Sequence, residues 1–292
     1  MSNNNTNVTM DSHYAFAIAF GSIIGLGLPL NAVALWILLR HHSLKSSCAI
    51  FMVNLAISDL LLVISLPMKV YFYSTGKWEL GGWILCTWIT MLFRNNIRSS
   101  SIFITFISID RLLAVVYPLR SRHLRTSTNA WKAAAFVWLF VLVLNVPESV
   151  GFSRRIKNYT VCFEFPEDKL RIEQITEEEV IAFFLPLLVI TLLTINIVST
   201  ALVSWTLRKQ LNDSAKVSNK VNVMLLFAMN LMMFTVFFVP VSLVKFFPKS
   251  RTFLNCLASV NCCFDPVLYY FSFDGFWKKK EEADISLARD VS

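Results

Sequence analysis

The chain has 292 residues, of which 55% are hydrophobic and only 16% are charged, against roughly 25% charged residues in a soluble globular protein. The apolar residues form long runs of the roughly 20 residues that a helix needs to cross a bilayer, so the length suits seven spans without a second folded domain. The net charge of +8 does not indicate a nucleic-acid partner, because the basic residues lie in short segments between the apolar runs, where membrane topology explains them.

Seven apolar runs follow one another along the chain. They cover residues 13–40, 46–73, 83–117, 129–149, 179–207, 217–247 and 250–273. Only helices and closed barrels satisfy their own backbone hydrogen bonds in lipid, and these runs lack the alternating apolar pattern of barrel strands. The predicted fold class is therefore an all-α membrane protein, a seven-transmembrane helix bundle.

The sequence predicts a short tail on each side of this bundle. We expect an extracellular N-terminal tail over residues 1–12, the seven-helix transmembrane domain over 13–273, and a cytoplasmic segment over 274–292. The N-terminal residues lack the pattern of a cleavable signal peptide, so the first run would act as a signal anchor. Apolar and basic residues together after Phe273 predict a short interfacial helix.

Charge between the runs predicts the orientation. Basic clusters follow the first, third, fifth and seventh runs, beginning at Arg40, Arg120, Arg208 and Lys278. By the positive-inside rule these segments are cytoplasmic, so we expect a multi-pass protein of the plasma membrane with its N-terminus outside. The predicted outer side also carries three possible N-glycosylation sites, at Asn4, Asn7 and Asn158.

Two arginines lie deep in the third apolar run. Arg98 is about 18 Å below Cys86 at 1.5 Å per residue, and Arg94 is one turn above Arg98 on the same helix face. Charges inside a span cost roughly 2.5–3.5 kcal/mol each on insertion and therefore require an explanation. One explanation is a polar cavity that receives an anionic group. The alternative is neutralisation by Glu148 or by the acidic run 177–179.

Further cations lie near the outer ends of other runs, at Lys69, Lys245 and Arg251. Each alone is more often a snorkelling residue at a helix end. Together with Arg94 and Arg98 they would place five cations in the outer half of one bundle, which favours an anionic ligand. Because Trp, Phe, Met and Leu surround them, an amphiphile with a phosphate head and an acyl tail would fit.

One motif occurs in each apolar run, and the order of the motifs is informative. They are Asn31 in the first run, Asn54-Leu55-Ala56-Ile57-Ser58-Asp59-Leu60 in the second, Asp110-Arg111-Leu112 in the third, Trp138 and Pro147 in the fourth, Pro186 in the fifth, Phe238-Val239-Pro240 in the sixth and Asp265-Pro266-Val267-Leu268-Tyr269 in the seventh. Each motif is weak alone, but the seven in order are specific. In them the chain resembles the rhodopsin-like (class A) G-protein-coupled receptors over nearly its whole length.

The resemblance implies a receptor that activates heterotrimeric G proteins, and not an enzyme. It implies a disulfide between Cys86 and Cys162. It assigns activation and G-protein coupling to Asp110, Arg111, Pro240, Asp265, Pro266 and Tyr269. It also implies a possible allosteric sodium ion held by Asp59, Ser100, Asn261 and Asp265, and no other cofactor.

Within this class the chain looks like the purinergic-related lipid receptors, and most like the receptors for lysophosphatidic acid. Phe238 before Pro240 and the pair Asp265-Pro266 are similar to that branch, and Lys69 falls where the branch has a basic residue for the ligand head. The implied partners are an anionic lysophospholipid, a G protein and membrane lipids. A nucleotide or small carboxylic acid as ligand, or a non-signalling decoy receptor, remains an alternative.

The sequence also departs from the family pattern. Leu112 replaces the usual Tyr after Arg111, and arginines are not expected at positions 94 and 98. The segment from Pro240 to Pro266 is shorter than in the family, which indicates either a minimal outer connection between the last two spans or a segment missing from this sequence.

Overall fold

A computed structural model describes residues 3–41, 44–76, 82–156, 162, 178–209, 217–244 and 246–272. Within these ranges all regular secondary structure is helical, as predicted. The helices are α1 (Asn3–His41), α2 (Ser47–Thr75), α3 (Gly82–Val116), α4 (Ser127–Ile156), α5 (Glu178–Lys209), α6 (Val217–Met233), α7 (Val239–Ser242), α8 (Arg251–Ser259) and α9 (Asn261–Ser272). A π-helical turn (Phe234–Phe238) joins α6 to α7, and a 3₁₀ turn (Pro248–Ser250) precedes α8.

Within the described ranges, six helical segments are long and apolar enough to cross a membrane. They are His13–Arg40, Ser47–Thr75, Gly82–Val116, Ser127–Arg154, Phe184–Lys209 and Val223–Ser242. The helix α1 begins at Asn3, inside the segment predicted as a tail, because neither Gly nor Pro interrupts the chain before His13. The predicted interfacial helix over 274–292 lies outside the described residues.

The seventh predicted span is divided into α8 and α9 at Val260. The Val260 amide is shared between the carbonyls of Cys256 and Leu257, at 3.3 and 3.2 Å, and the Cys263 amide donates to the Val260 carbonyl at 3.0 Å. Bonds to the third preceding residue tighten the backbone into a 3₁₀-like turn. The sequence predicted one continuous helix here, because no Gly or Pro marks the break.

A proline explains the π-helical turn in the sixth span. The ring of a proline clashes with the carbonyl four residues earlier, which for Pro240 belongs to Val236. The turn relieves this clash, because the Val239 amide donates to the Phe234 carbonyl five residues earlier. One extra residue in this turn rotates the helix beyond it, and Phe234, Phe237 and Phe238 are all buried there.

The helices pack as a bundle in which α3 is central. It contacts α2, α4, α5 and α6, while α1 packs on α2 and α9, and α9 packs on α6. A polar row lies along the buried side of α3: Asn95, Asn96, Arg98, Ser99, Ser100, Ser101, Thr105, Ser108 and Asp110. These side chains satisfy one another and their neighbours, as with the Ser108 hydroxyl, which accepts from the Asn230 amide at 2.7 Å.

Amide and indole groups tie the other helices together. The Asn31 amide donates to the Cys262 carbonyl at 2.7 Å and to the Gly27 carbonyl at 3.0 Å, which joins α1 to α9. The Trp138 indole N–H donates to the Asn54 side chain at 2.8 Å, which joins α4 to α2. Sequence motifs in the first, second and fourth spans are therefore interhelical contacts.

The predicted disulfide between Cys86 and Cys162 is confirmed, with Cα atoms 5.7 Å apart. It attaches the segment after α4 to the first turns of α3. We refer to this side of the bundle as the disulfide end and to the opposite side as the Arg111 end. The predicted glycosylation sites Asn4, Asn7 and Asn158 lie outside the residues whose side chains are described.

Candidate functional site

The two arginines of α3 share one carboxylate of α4. Arg98 Nη2 lies 2.6 Å from Glu148 Oε2, and Arg94 Nε lies 3.3 Å from Glu148 Oε1. Each carboxylate oxygen therefore serves one arginine. Of the two explanations that the sequence left open, partial neutralisation by Glu148 is the one observed. The cluster still holds two positive charges and one negative charge among the described residues.

The deeper arginine is held by a second partner. Arg98 Nη1 donates to the side-chain oxygen of Asn145, whose amide nitrogen lies 3.4 Å from the Asn95 oxygen. Sequence reasoning missed Asn145. The available signal was an amide side chain one turn before Glu148 in an otherwise apolar helix.

Lys69 lies on another side of α3. Its Nζ atom is 3.8 Å from the centre of the Phe93 ring and 5.2 Å from the Phe20 ring, and the side chain is buried between α1, α2 and α3. Cation–π contacts of this kind stabilise a desolvated ammonium group. Phe93 and Arg94 are adjacent in sequence and therefore point about 100° apart on the helix. The contacts of Lys69 and those of the arginines thus fall in different places.

The other two predicted cations have different outcomes. Arg251 is the first residue of α8 and is partly buried at the disulfide end, next to Thr252, whose hydroxyl lies 3.2 Å from the Tyr73 hydroxyl of α2. Lys245 lies outside the described residues. The structure therefore places Lys69, Arg94, Arg98 and Arg251 in the disulfide half of the bundle, without joining them in one cluster.

A second polar cluster lies at mid-depth among α2, α3 and α9. Asp59 and Asp265 are fully buried, and their carboxyl groups are close enough to interact electrostatically. The Asn96 amide donates to Asp59 at 2.9 Å, and the Ser100 hydroxyl lies 3.4 Å from the same oxygen. The Asn261 amide lies 3.4 Å from Asp265. All four residues predicted for a sodium ion are thus brought together.

The donor atoms of this cluster suit a hard cation. The second Asp59 oxygen, the second Asp265 oxygen and the Asn261 oxygen are buried without a hydrogen-bond partner among the described residues. Two adjacent carboxylates require a proton or a cation between them, and oxygen ligands are preferred by hard cations. Sequence reasoning missed Asn96, which donates to both Asp59 and Ser100.

The residues assigned to activation lie at the Arg111 end and in the last two spans. Asp110 accepts hydrogen bonds from Arg125 at 3.1 and 3.2 Å and from the Ser47 hydroxyl. Arg111 Nε lies 3.3 Å from Cys48 Sγ. Arg125 was not predicted for this role, since its position in a basic loop suggested topology only. It attaches the loop after α3 to the Arg111 end of that helix.

Two further assigned positions shape the last spans. Pro266 lies inside α9, and the Tyr269 hydroxyl is buried without a hydrogen-bond partner in the part of the chain described. Pro266 directly follows Asp265 in the sequence, so it lies next to the Asp59–Asp265 cluster.

Comparison with known proteins is consistent with this architecture. Residues 30–269 match the family described as 7 transmembrane receptor (rhodopsin family). The chain is 35% identical to lysophosphatidic acid receptor 4 of Homo sapiens, over 94% of this chain and 79% of that protein. It is 34% identical to lysophosphatidic acid receptor 6 of Gallus gallus, over 89% of this chain and 90% of that protein.

The sequence motifs predicted a likeness to the fifth type of lysophosphatidic acid receptor. Lysophosphatidic acid receptor 5 of Mus musculus is 33% identical over 91% of this chain and 77% of that protein, so the three types match to a similar degree. The family match covers most of the chain, and each of these relatives exceeds 30% identity over most of its length. The protein therefore belongs to the rhodopsin family of seven-transmembrane G-protein-coupled receptors.

Proposed function

We propose that the protein is a receptor of the plasma membrane that binds an extracellular anionic lysophospholipid, of the lysophosphatidic acid type, and activates heterotrimeric G proteins. The observation that carries this proposal is the set of cations in the disulfide half of a membrane-spanning bundle. The names of the relatives identify lysophosphatidic acid as the ligand of those proteins, and the same chemistry suits these cations.

Charge and apolar surface occur together at this end of the bundle. Lys69 lies against two phenylalanine rings, and Arg94 lies 5.3 Å from the ring of Phe152. A phosphate head would interact with the cations, while aromatic and aliphatic side chains would contact the acyl chain. A nucleotide needs the same cations but prefers polar or aromatic partners for its base.

The orientation proposed is with the disulfide end outside. Basic residues lie at the opposite end, including Arg120, Arg122 and Arg125 after α3 and Arg208 and Lys209 at the end of α5. Since such residues favour the cytoplasmic side, the G protein would approach Arg111 from there. The N-terminus would then be extracellular.

A sodium ion is proposed for the cluster of Asp59, Ser100, Asn261 and Asp265. The ion would supply positive charge between the two carboxylates, and the side chains around it would hold α2, α3 and α9 in one packing. A ligand that favours another packing of these helices would shift the population away from it. Through α3, the same shift would reach Asp110, Arg111 and the bonds to Arg125.

The test is G-protein activation in cells that express this chain, normalised to surface level. The panel contains lysophosphatidic acid, nucleotides and small carboxylic acids. We expect a saturable response to the lipid alone. The variant Lys69→Met should raise the half-maximal lipid concentration by about tenfold, which corresponds to 1.4 kcal/mol.

The matched control is Lys249→Met, because Lys249 is an exposed lysine of the short turn before α8. Unlike Lys69, it does not lie over the ring of Phe20 or Phe93. Its response should equal that of the wild type. A response to a nucleotide alone would contradict the proposed lysophospholipid ligand but would leave the family assignment unchanged. Normal surface expression with no G-protein activation by any member of the panel would favour a decoy receptor.

A further inference from the structure

Among the described residues, one carboxylate contacts both arginines of α3. Glu148 gives one oxygen to Arg98 at 2.6 Å and the other to Arg94 at 3.3 Å. An anionic headgroup that approaches Arg94 therefore meets the charge of Glu148 at the same position. The carboxylate repels such a headgroup, whereas the arginine attracts it.

The three charged side chains differ in how far they are buried. The Arg98 side chain is only 4% exposed, whereas those of Arg94 and Glu148 are each 25% exposed. Arg98 is fixed from below by Asn145, which is fully buried. Arg98 is thus a positioning residue that orients the carboxylate, and the accessible part of the cluster is Arg94 with Glu148.

Arg94 has support from a second direction. Its guanidinium carbon lies 5.3 Å from the centre of the Phe152 ring, one turn beyond Glu148 on α4. This ring keeps the guanidinium in place if the carboxylate turns toward Arg98 alone. Arg94 can therefore exchange the Glu148 oxygen for an oxygen of a ligand without leaving its position.

We propose that Glu148 determines which headgroup charge the receptor accepts beside Arg94. This inference rests on the proposed function, in which the ligand is an anionic lipid. The Glu148 carboxylate repels a phosphate monoester, with roughly −1.5 to −2 charges at pH 7, more than it repels a singly charged phosphate diester at the same position.

The test compares two lipids with the same oleoyl chain: lysophosphatidic acid, a monoester, and its cyclic phosphate diester. The variant Glu148→Gln removes a negative charge beside Arg94, so the ratio of potencies should shift about tenfold toward the monoester. The variant Arg94→Gln removes a positive charge from the same place, so the ratio should shift toward the diester. A merely structural role would impair the response to both lipids equally in both variants.

Glu148→Asp is the matched control, since it keeps the charge and should keep the wild-type ratio. A shift in Glu148→Asp as large as that in Glu148→Gln would contradict the proposal, because packing and not charge would then be responsible. Equal ratios of the two lipid potencies in the wild type and all three variants would also contradict the proposal.

A second measurement separates this inference from the proposed function. The full chain is purified in detergent, and its melting temperature is measured in potassium phosphate and in potassium chloride at equal ionic strength. Phosphate should stabilise Glu148→Gln most and Arg94→Gln least. If the wild type is expressed but responds to neither lipid, the proposed function is wrong. The order of phosphate stabilisation among the three proteins then tests the role of Glu148 by itself. Identical stabilisation of the three proteins would overturn the role of Glu148.

Discussion

At the scale of single residues, a glycine lies where α1 approaches α2 and α9 closely. A Cβ atom at Gly27 would lie 2.9 Å from Cys262 Sγ and 3.3 Å from Val63 Cγ2. These neighbours belong to α9 and α2, so three helices meet at this position. The absence of a side chain permits the approach that the Asn31 hydrogen bond to the Cys262 carbonyl requires.

We therefore expect Gly27→Ala to destabilise the receptor by about 1–3 kcal/mol, because the added methyl group forces α1 away from α9. The melting temperature of the purified protein measures this effect. Gly25→Ala is the control, since no atom lies within 4 Å of a Cβ at that position. Equal melting temperatures of the two variants would contradict the explanation, and Gly27→Ala combined with Cys262→Ala should recover part of the loss.

At the scale of elements, the sixth span has an irregularity that the sequence only partly indicates. Pro240 predicts a kink. Whether the helix accommodates the proline by bending or by forming a π-helical turn depends on packing. Here Phe234, Phe237 and Phe238 are buried in the turn. Removing the extra residue from the turn would rotate one of these rings out of the core.

Pro240→Ala restores an amide that can donate to the Val236 carbonyl, so the turn should revert to α-helix. We expect a maximal G-protein response reduced by about twofold or more at equal surface expression, as for a hinge residue. Pro29→Ala, at an exposed position within α1, is the control and should respond normally. A full response from Pro240→Ala would show that the turn plays no part in activation.

At the scale of the whole molecule, the Asp59–Asp265 cluster connects three helices midway between the disulfide end and the Arg111 end. We expect sodium, compared with potassium at equal ionic strength, to raise the melting temperature and to lower agonist potency by roughly fivefold. Both effects should disappear in Asp59→Asn. In that variant a neutral amide replaces the Asp59 carboxylate. The Asp265 carboxylate then has no second negative charge beside it, so a cation between the two side chains is no longer required.

Ser65→Ala is a suitable control for this experiment. Ser65 is also buried in α2, but its hydroxyl donates to the Leu62 carbonyl within the same helix. Sodium should affect this variant as it affects the wild type. A sodium effect that persists in both Asp59→Asn and Asp265→Asn would exclude the cluster as the binding site.

The spans and their order were predictable, because apolar length depends on local sequence. The disulfide was predicted from the family resemblance. The pairing of Arg94 and Arg98 with Glu148 was predictable only as one of two alternatives. The face of α4 that meets α3 is determined by packing between the helices. The contact of Asn145 with Arg98 could therefore not be predicted from the sequence. The break at Val260 was missed for a related reason, since neither Gly nor Pro marks it.

The polar row along α3 has a consequence for biosynthesis. Arg94, Arg98 and several Asn and Ser side chains make this segment expensive to place in lipid alone, at roughly 2.5–3.5 kcal/mol for a central arginine. Its partners Glu148 and Asn145 are in α4, which leaves the ribosome later. The third segment therefore becomes a stable transmembrane helix only after the fourth has entered the bilayer beside it, and the two segments assemble as a pair.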